Sequence, residues 1–125
     1  HFGASDAGAH ITQFCGTGDT THLLEHYVRE TGHMTLERAI HRMTGEVAAD
    51  WGLSDRGTLA VGMAADIVVF DPDTVTVGLE QFVDDFPGEA RRYVRRANGY
   101  HHVFVNGELA YDIEGYTDNL AGRVV

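Results

Sequence analysis

Gly57-Thr58-Leu59-Ala60-Val61-Gly62-Met63-Ala64-Ala65-Asp66-Ile67-Val68-Val69-Phe70-Asp71 is where the chain changes its period. Within it, Asp66–Asp71 is apolar, too short for a typical helix and rich in β-branched residues, so it reads as a buried strand. Pro72 has no N–H to give to a ladder and ends the strand. Thr58-Leu59-Ala60 reads as another short strand, and Gly62–Ala65 as a turn. Upstream of Arg56-Gly57 the pattern is helical; downstream it is strands and turns.

Three helices are predicted on the upstream side. From Thr20 to about Thr31, Leu23, Leu24, Tyr27 and Val28 fall on one helical face, with Thr20 or Thr21 to cap the start and Gly32 to end it. A second helix starts near Leu36 behind a Thr35 cap and runs through Ile40 and Met43. A third, short one follows Thr44-Gly45, carries Val47, Ala48, Ala49 and Trp51, and stops at Gly52.

Downstream, residues 73–90 read as a long excursion with little regular structure. His101–Val105 and Glu108–Asp112 flank Asn106-Gly107, the strongest short-range hairpin signal, because both turn residues must tolerate positive φ. The tail from Ile113 to Val125 ends in Arg123-Val124-Val125.

Composition narrows the partners. Nine arginines, no lysine and nineteen acids give a formal charge of −10, which disfavours nonspecific binding to nucleic acid or to an anionic membrane. Arg91-Arg92-Tyr93-Val94-Arg95-Arg96 concentrates four of those arginines, but Asp84, Asp85 and Glu89 just upstream make a solvated, partnered surface the expected reading. No apolar run approaches the roughly 20 residues of a membrane span. Cys15 is the single cysteine, so no internal disulfide forms, and a reducing, cytoplasmic setting is expected.

The chemistry-bearing residues begin at the first ones. His1-Phe2-Gly3-Ala4-Ser5-Asp6-Ala7-Gly8-Ala9-His10 runs a short apolar stretch into an acid and then a glycine-bearing loop. That is the pattern of a carboxylate at the C-terminal mouth of a barrel strand, where such enzymes keep their chemistry. Asp6 is the candidate catalytic residue: unobstructed by its small neighbours, it can reach a metal or an attacking water. His10 can face the same mouth and touch substrate. The chain starts with histidine, so the expectation is the tail piece of a larger enzyme, inactive alone.

Other histidines are weaker candidates. His22-Leu23-Leu24-Glu25-His26 fits H-x-x-E-H, a zinc-peptidase pattern, but the polar trio is expected on a solvated helix face, without a third ligand or shelter. His101 and His102 are adjacent on a strand, so they point to opposite faces and cannot chelate one ion together. His33 and His41 have no partner in the pattern. Gly16-Thr17-Gly18 lacks the third glycine and the preceding strand of a dinucleotide loop.

The order of these pieces resembles the amidohydrolase superfamily, most closely its D-aminoacylase (N-acyl-D-amino-acid deacylase) branch. The matching stretches are Gly3–Gly8, Met34–Ala49, Gly57–Asp71, Val103–Glu108 and Ala121–Val125, taken in order. The resemblance implies an α/β fragment: the last strand and helices of a metal-dependent (β/α)8 barrel in residues 1–56, then part of a small C-terminal β-sandwich in residues 57–125. It implies a zinc-dependent parent that cleaves an amide. Asp6 would be its general base and acid on metal-bound water, and a metal ligand in many members. The other ligands, including a His-x-His after the first strand, are absent here. The implied partners are a small-molecule N-acyl amino acid and the missing N-terminal portion of the same enzyme; in isolation, with a free strand edge and an unpartnered apolar helix face, the chain is expected to pair with that portion, to join further copies in a homo-oligomer or to be partly disordered. One departure bears on substrate choice: Ala7 follows the aspartate where the branch usually has glycine, and Ile11–Thr17 differs from the usual proline-containing loop. Two other readings are open: an amidohydrolase acting on a cyclic amide or imide, and a noncatalytic interaction module.

Overall fold

The computed structural model describes residues 12, 13 and 15–124. The expected last barrel strand, together with Asp6 and His10, lies outside the described residues.

The first helix opens as α1 (Asp19–His22) and continues in π register over Leu23–Glu30. Gly18 stands at its start in a left-handed conformation, with no side-chain cap. The expected threonine cap is therefore corrected. Thr21 is buried instead, and its hydroxyl pairs with the Tyr100 hydroxyl at 3.0 Å. The π register leaves Leu23 and Leu24 buried but turns Tyr27 out, 41 % exposed, among the rings of His22, His26 and His33. Then come α2 (Leu36–Met43), with the Thr35 hydroxyl accepting from the Arg38 N–H at 3.3 Å, and α3 (Gly45–Asp50). Gly32 and Gly52 take positive φ where the helices stop, as expected.

No strand forms at Thr58-Leu59-Ala60. The Met63 N–H donates to the Ala60 carbonyl in a turn, and Leu59 is 77 % exposed, so nothing covers the side chain a strand there would have buried. The apolar run does form β1 (Ile67–Phe70).

Residues 73–90 are not the irregular excursion expected. They hold β2 (Thr76–Phe86) and a 3₁₀ turn (Pro87–Glu89), after which β3 (Ala90–Asn98) returns antiparallel with Phe82 opposite Tyr93. Beyond it, β4 (Tyr100–Val105) and β5 (Glu108–Asp112) turn at Asn106 and Gly107, both at positive φ, and β6 (Gly115–Tyr116) closes the edge. The sheet order is β1-β4-β5-β6, with Ile67 opposite Phe104 and Val105 opposite Glu108; β2 and β3 form a separate ribbon.

The ribbon leaves the sheet through a closed neck. The Asp71 N–H donates to the Gly99 carbonyl at 2.9 Å, just beyond the Phe70–Tyr100 pair. A Cβ on Gly99 would lie 2.5 Å from the Val75 backbone, and φ there is +83°, so the neck needs glycine on both counts. Val75, 1 % exposed, is the largest fully buried side chain among the described residues and packs with Leu23, Leu24 and Ala39. That cluster is small for this chain, and Trp51, Val61 and Leu120 stay exposed.

Candidate active site

The described residues begin their contribution just downstream of Asp6 and His10. The Cys15 thiol pairs with the Thr17 hydroxyl at 3.0 Å, and Gly18 delivers the chain into α1. From there the helix is fastened to the base of the β2–β3 ribbon by two charged residues. The Glu25 carboxylate accepts from the Thr76 hydroxyl and, at 2.8 Å, from the Val77 N–H. One helical turn on, Arg29 donates to the carbonyls of Val75 and, at 3.2 Å, Pro72. The Thr76 hydroxyl, then the Val77 amide, hold Glu25 below the usual carboxylate range, with Arg29 and His22 adding to the effect against partial burial.

This geometry answers the H-x-x-E-H pattern. His22 and His26 stack in parallel at 5.2 Å, and the His26 Nδ1 meets Glu30 at 2.8 Å. Glu25 is not on a solvated face, as its spacing suggested, but turned onto the ribbon, where the two β2 donors occupy both of its oxygens. An acid held ionised in this way is poorly suited to act as a general base. Among the described residues, no three His, Cys, Asp or Glu side chains gather where they could hold a metal ion. His101 and His102 are both exposed on β4 and belong to no such group.

The arginine run is a partnered surface. Arg91 pairs with Asp84 at 2.6 Å and Arg92 with Asp85 at 2.7 Å, while Arg95 pairs with Glu80, a partner the sequence did not single out. Arg91 and Arg92 also lie over the rings of Phe82 and Phe86, at 5.8 and 4.9 Å. The hydrogen bond from Arg92 in turn lowers the Asp85 carboxyl from its ordinary value. A further joint links the two halves: Arg56 meets Asp66 at 2.7 Å, and Asp66 accepts from the Asn106 N–H at 2.8 Å. Glu25, Arg29 and Arg95 are the contributors that sequence reasoning missed. In the sequence they read as ordinary helix-face or surface charges, because their partners are backbone groups far along the chain.

Between α2 and the four-stranded sheet lies an open groove of about 1520 Å³, lined in part by Leu24, Ile40, Met43, Ile67, Phe70 and Val103. No described helix is long and apolar enough to cross a membrane.

A model of the amidohydrolase family matches residues 2–111. The chain is 41 % identical over 108 residues to the D-aminoacylase of Alcaligenes xylosoxydans xylosoxydans, covering 86 % of this chain and 20 % of that protein. With the N-acyl-D-glutamate deacylase of the same organism the identity is 46 % over 90 residues, 72 % of this chain and 17 % of that one. A crystal structure of D-aminoacylase, described as defining a novel subset of amidohydrolases, superposes with a TM-score of 0.68 at 38 % identity, over 86 % of this chain and 21 % of its own. The N-acyl-D-glutamate deacylase of Bordetella bronchiseptica, solved with zinc and a phosphonate that mimics the tetrahedral intermediate, gives 0.59 at 39 % identity, over 75 % of this chain and 18 % of its own. The chain thus spans about a fifth of the length of the curated relatives it matches.

Proposed function

The chain belongs to the amidohydrolase family, and from that premise we propose that it is the C-terminal portion of a zinc-dependent hydrolase that cleaves the amide bond of N-acyl-D-amino acids. The observation that carries this is the agreement of the relatives: a D-aminoacylase and deacylases of N-acyl-D-aspartate and N-acyl-D-glutamate, at 39–46 % identity. On this reading residues 1–56 complete the barrel and residues 57–125 form part of the β-sandwich. Among the described residues no group of three His, Cys, Asp or Glu side chains could hold zinc, so on this reading the site is completed by residues outside them, with Asp6 the candidate ligand from this chain.

Asp6 does the proton work. Its carboxylate takes a proton from the attacking water as the water oxygen adds to the amide carbonyl. It returns that proton to the amine nitrogen as the C–N bond breaks, releasing a carboxylic acid and a D-amino acid. His10 contacts the substrate. The open groove and the exposed Trp51, Val61 and Leu120 support a chain that packs against the remainder of the same enzyme, because apolar surface on this scale is a liability when left bare.

The test is hydrolysis of N-acetyl-D- and N-acetyl-L-amino acids by the full-length enzyme, with and without zinc. Zinc-dependent cleavage of the D form, abolished by Asp6→Asn with the fold intact, is the expected result. An active Asp6→Asn enzyme rejects the role given to Asp6; an enzyme that cleaves only cyclic amides or imides rejects the substrate.

A further inference from the structure

The chain has three asparagines, and two of them, Asn98 and Asn106, are followed by glycine. Asparagine is chemically labile, and most so before glycine, where no Cβ shields the next backbone nitrogen from the side-chain Cγ. The fold treats the two pairs differently. Asn106 is half-buried, and its pair is held by three hydrogen bonds. Its Nδ2 donates to the Ala121 carbonyl at 2.7 Å, its N–H to the Asp66 carboxylate at 2.8 Å, and the Gly107 N–H to the Ala65 carbonyl at 2.9 Å. The amide that would leave and the nitrogen that would attack are therefore both engaged. Asn98, the last residue of β3, is exposed. No hydrogen bond holds its side chain among the described residues. At Gly99 it is the carbonyl that is engaged, by the Asp71 N–H, which leaves the nitrogen to attack. The substitution that would protect this pair is closed to the fold, since a Cβ at Gly99 would meet the Val75 backbone.

We propose that Asn98 is the site at which the folded protein deamidates, and that the isoaspartate formed there unfastens the root of the β2–β3 ribbon. The Gly99 nitrogen gives its proton to a base in solution and attacks the Asn98 Cγ. As the new C–N bond closes a five-membered succinimide, the Cγ–Nδ2 bond breaks and the amide leaves as ammonia, taking up a proton. Water then opens the ring at either carbonyl, giving aspartate or isoaspartate. The net change is one water consumed and one ammonia released. Isoaspartate routes the main chain through the former side chain and lengthens it by one methylene between β3 and Gly99. The neck has no slack there, because Gly99 lies against Val75 and its carbonyl is held by Asp71. The reaction draws on local openings of the neck. The contacts from Glu25 to Thr76 and Val77 that tie down the ribbon base therefore also govern its rate.

The experiment incubates the full-length enzyme in mildly alkaline buffer and follows the tryptic peptide 97–123, which holds both pairs. Tandem mass spectrometry locates the converted residue, and methylation of the peptide by an isoaspartyl methyltransferase counts the isoaspartate independently. The unfolded chain should react at both pairs. The folded enzyme should react at Asn98 at least about tenfold faster than at Asn106, whose two engaged groups must first be freed. Glu25→Ala loosens the ribbon base and should speed the reaction at Asn98 but not at Asn106. Asn98→Gln cannot close the five-membered ring and should abolish methylation of the peptide. In the isoaspartate fraction, hydrogen exchange of the β2 and β3 amides should rise while that of β5 stays as it was. Reaction at Asn106 as fast as at Asn98, no reaction at Asn98 over a time that converts the unfolded chain, or methylation that persists in Asn98→Gln would each overturn the assignment. Unchanged exchange of β2 and β3 in the isoaspartate fraction would overturn its effect on the ribbon. If Glu25→Ala does not fold, the comparison of Asn98 with Asn106 in the wild type decides alone.

Discussion

The base and the tip of the β2–β3 ribbon are made of the same two strands and much the same charges, yet they are held by different physics. At the base, Glu25 and Arg29 reach over from the first helix to backbone groups beside the buried Val75. At the tip, Asp84–Arg91 and Asp85–Arg92 pair within the ribbon in contact with water. A charge that satisfies a sheltered backbone donor fixes one part of the molecule to another. A charge that pairs with a neighbour in solvent holds two side chains and little else.

The sharpest way to break this contrast is at the neck. Gly99→Ala puts a Cβ into the Val75 backbone at positive φ and should destabilise the base by roughly 3 kcal/mol or more. Exchange of the β2 and β3 amides should then approach that of an open loop. Second in size is Glu25→Ala, which strips the Val77 N–H and Thr76 hydroxyl of their acceptor and should cost about 2 kcal/mol by the same readout. Acid should reproduce part of that loss. Because the folded-state pKa of Glu25 is depressed, its contribution is complete above the ordinary value of about 4.5 and disappears as pH falls through the folded value. Protection at the base should therefore weaken below about pH 4.5, less so in Glu25→Gln, which no longer titrates there. The smallest effect belongs to the tip: Asp85→Asn should leave ribbon stability nearly unchanged and the base untouched. A tip variant as costly as Glu25→Ala would erase the distinction.

What the sequence made legible was local chemistry. The Thr35 cap, the stops at Gly32 and Gly52, the apolar run of β1 and the turn at Asn106-Gly107 each rest on a few neighbouring residues, and each is present in the fold. The ribbon was missed for a physical reason. Both of its faces meet solvent over most of its length, so no alternation of apolar and polar residues marks it, and its arginines read as a patch. Pro87-Gly88, between the two strands, was the usable signal. The π register left no trace either, since it repositions Tyr27 without changing which residues are apolar. At the site, Asp6 and His10 were legible as residue types at a strand end, and they lie outside the described residues. The supports downstream of them were not legible, because Glu25 and Arg95 act on backbone atoms that only the fold brings near.

The closed neck also bears on how such a chain can vary. Phe70 opposite Tyr100, with the Asp71–Gly99 bond behind them, joins β1 to β4 whatever lies between. Everything beyond the Glu80–Arg95 rung is then a side branch, whose length and composition can drift while the sheet and the Arg95–Thr17 contact stay in place. The fold thus carries a region open to remodelling whose root is tied to Thr17, at the entry to the first helix.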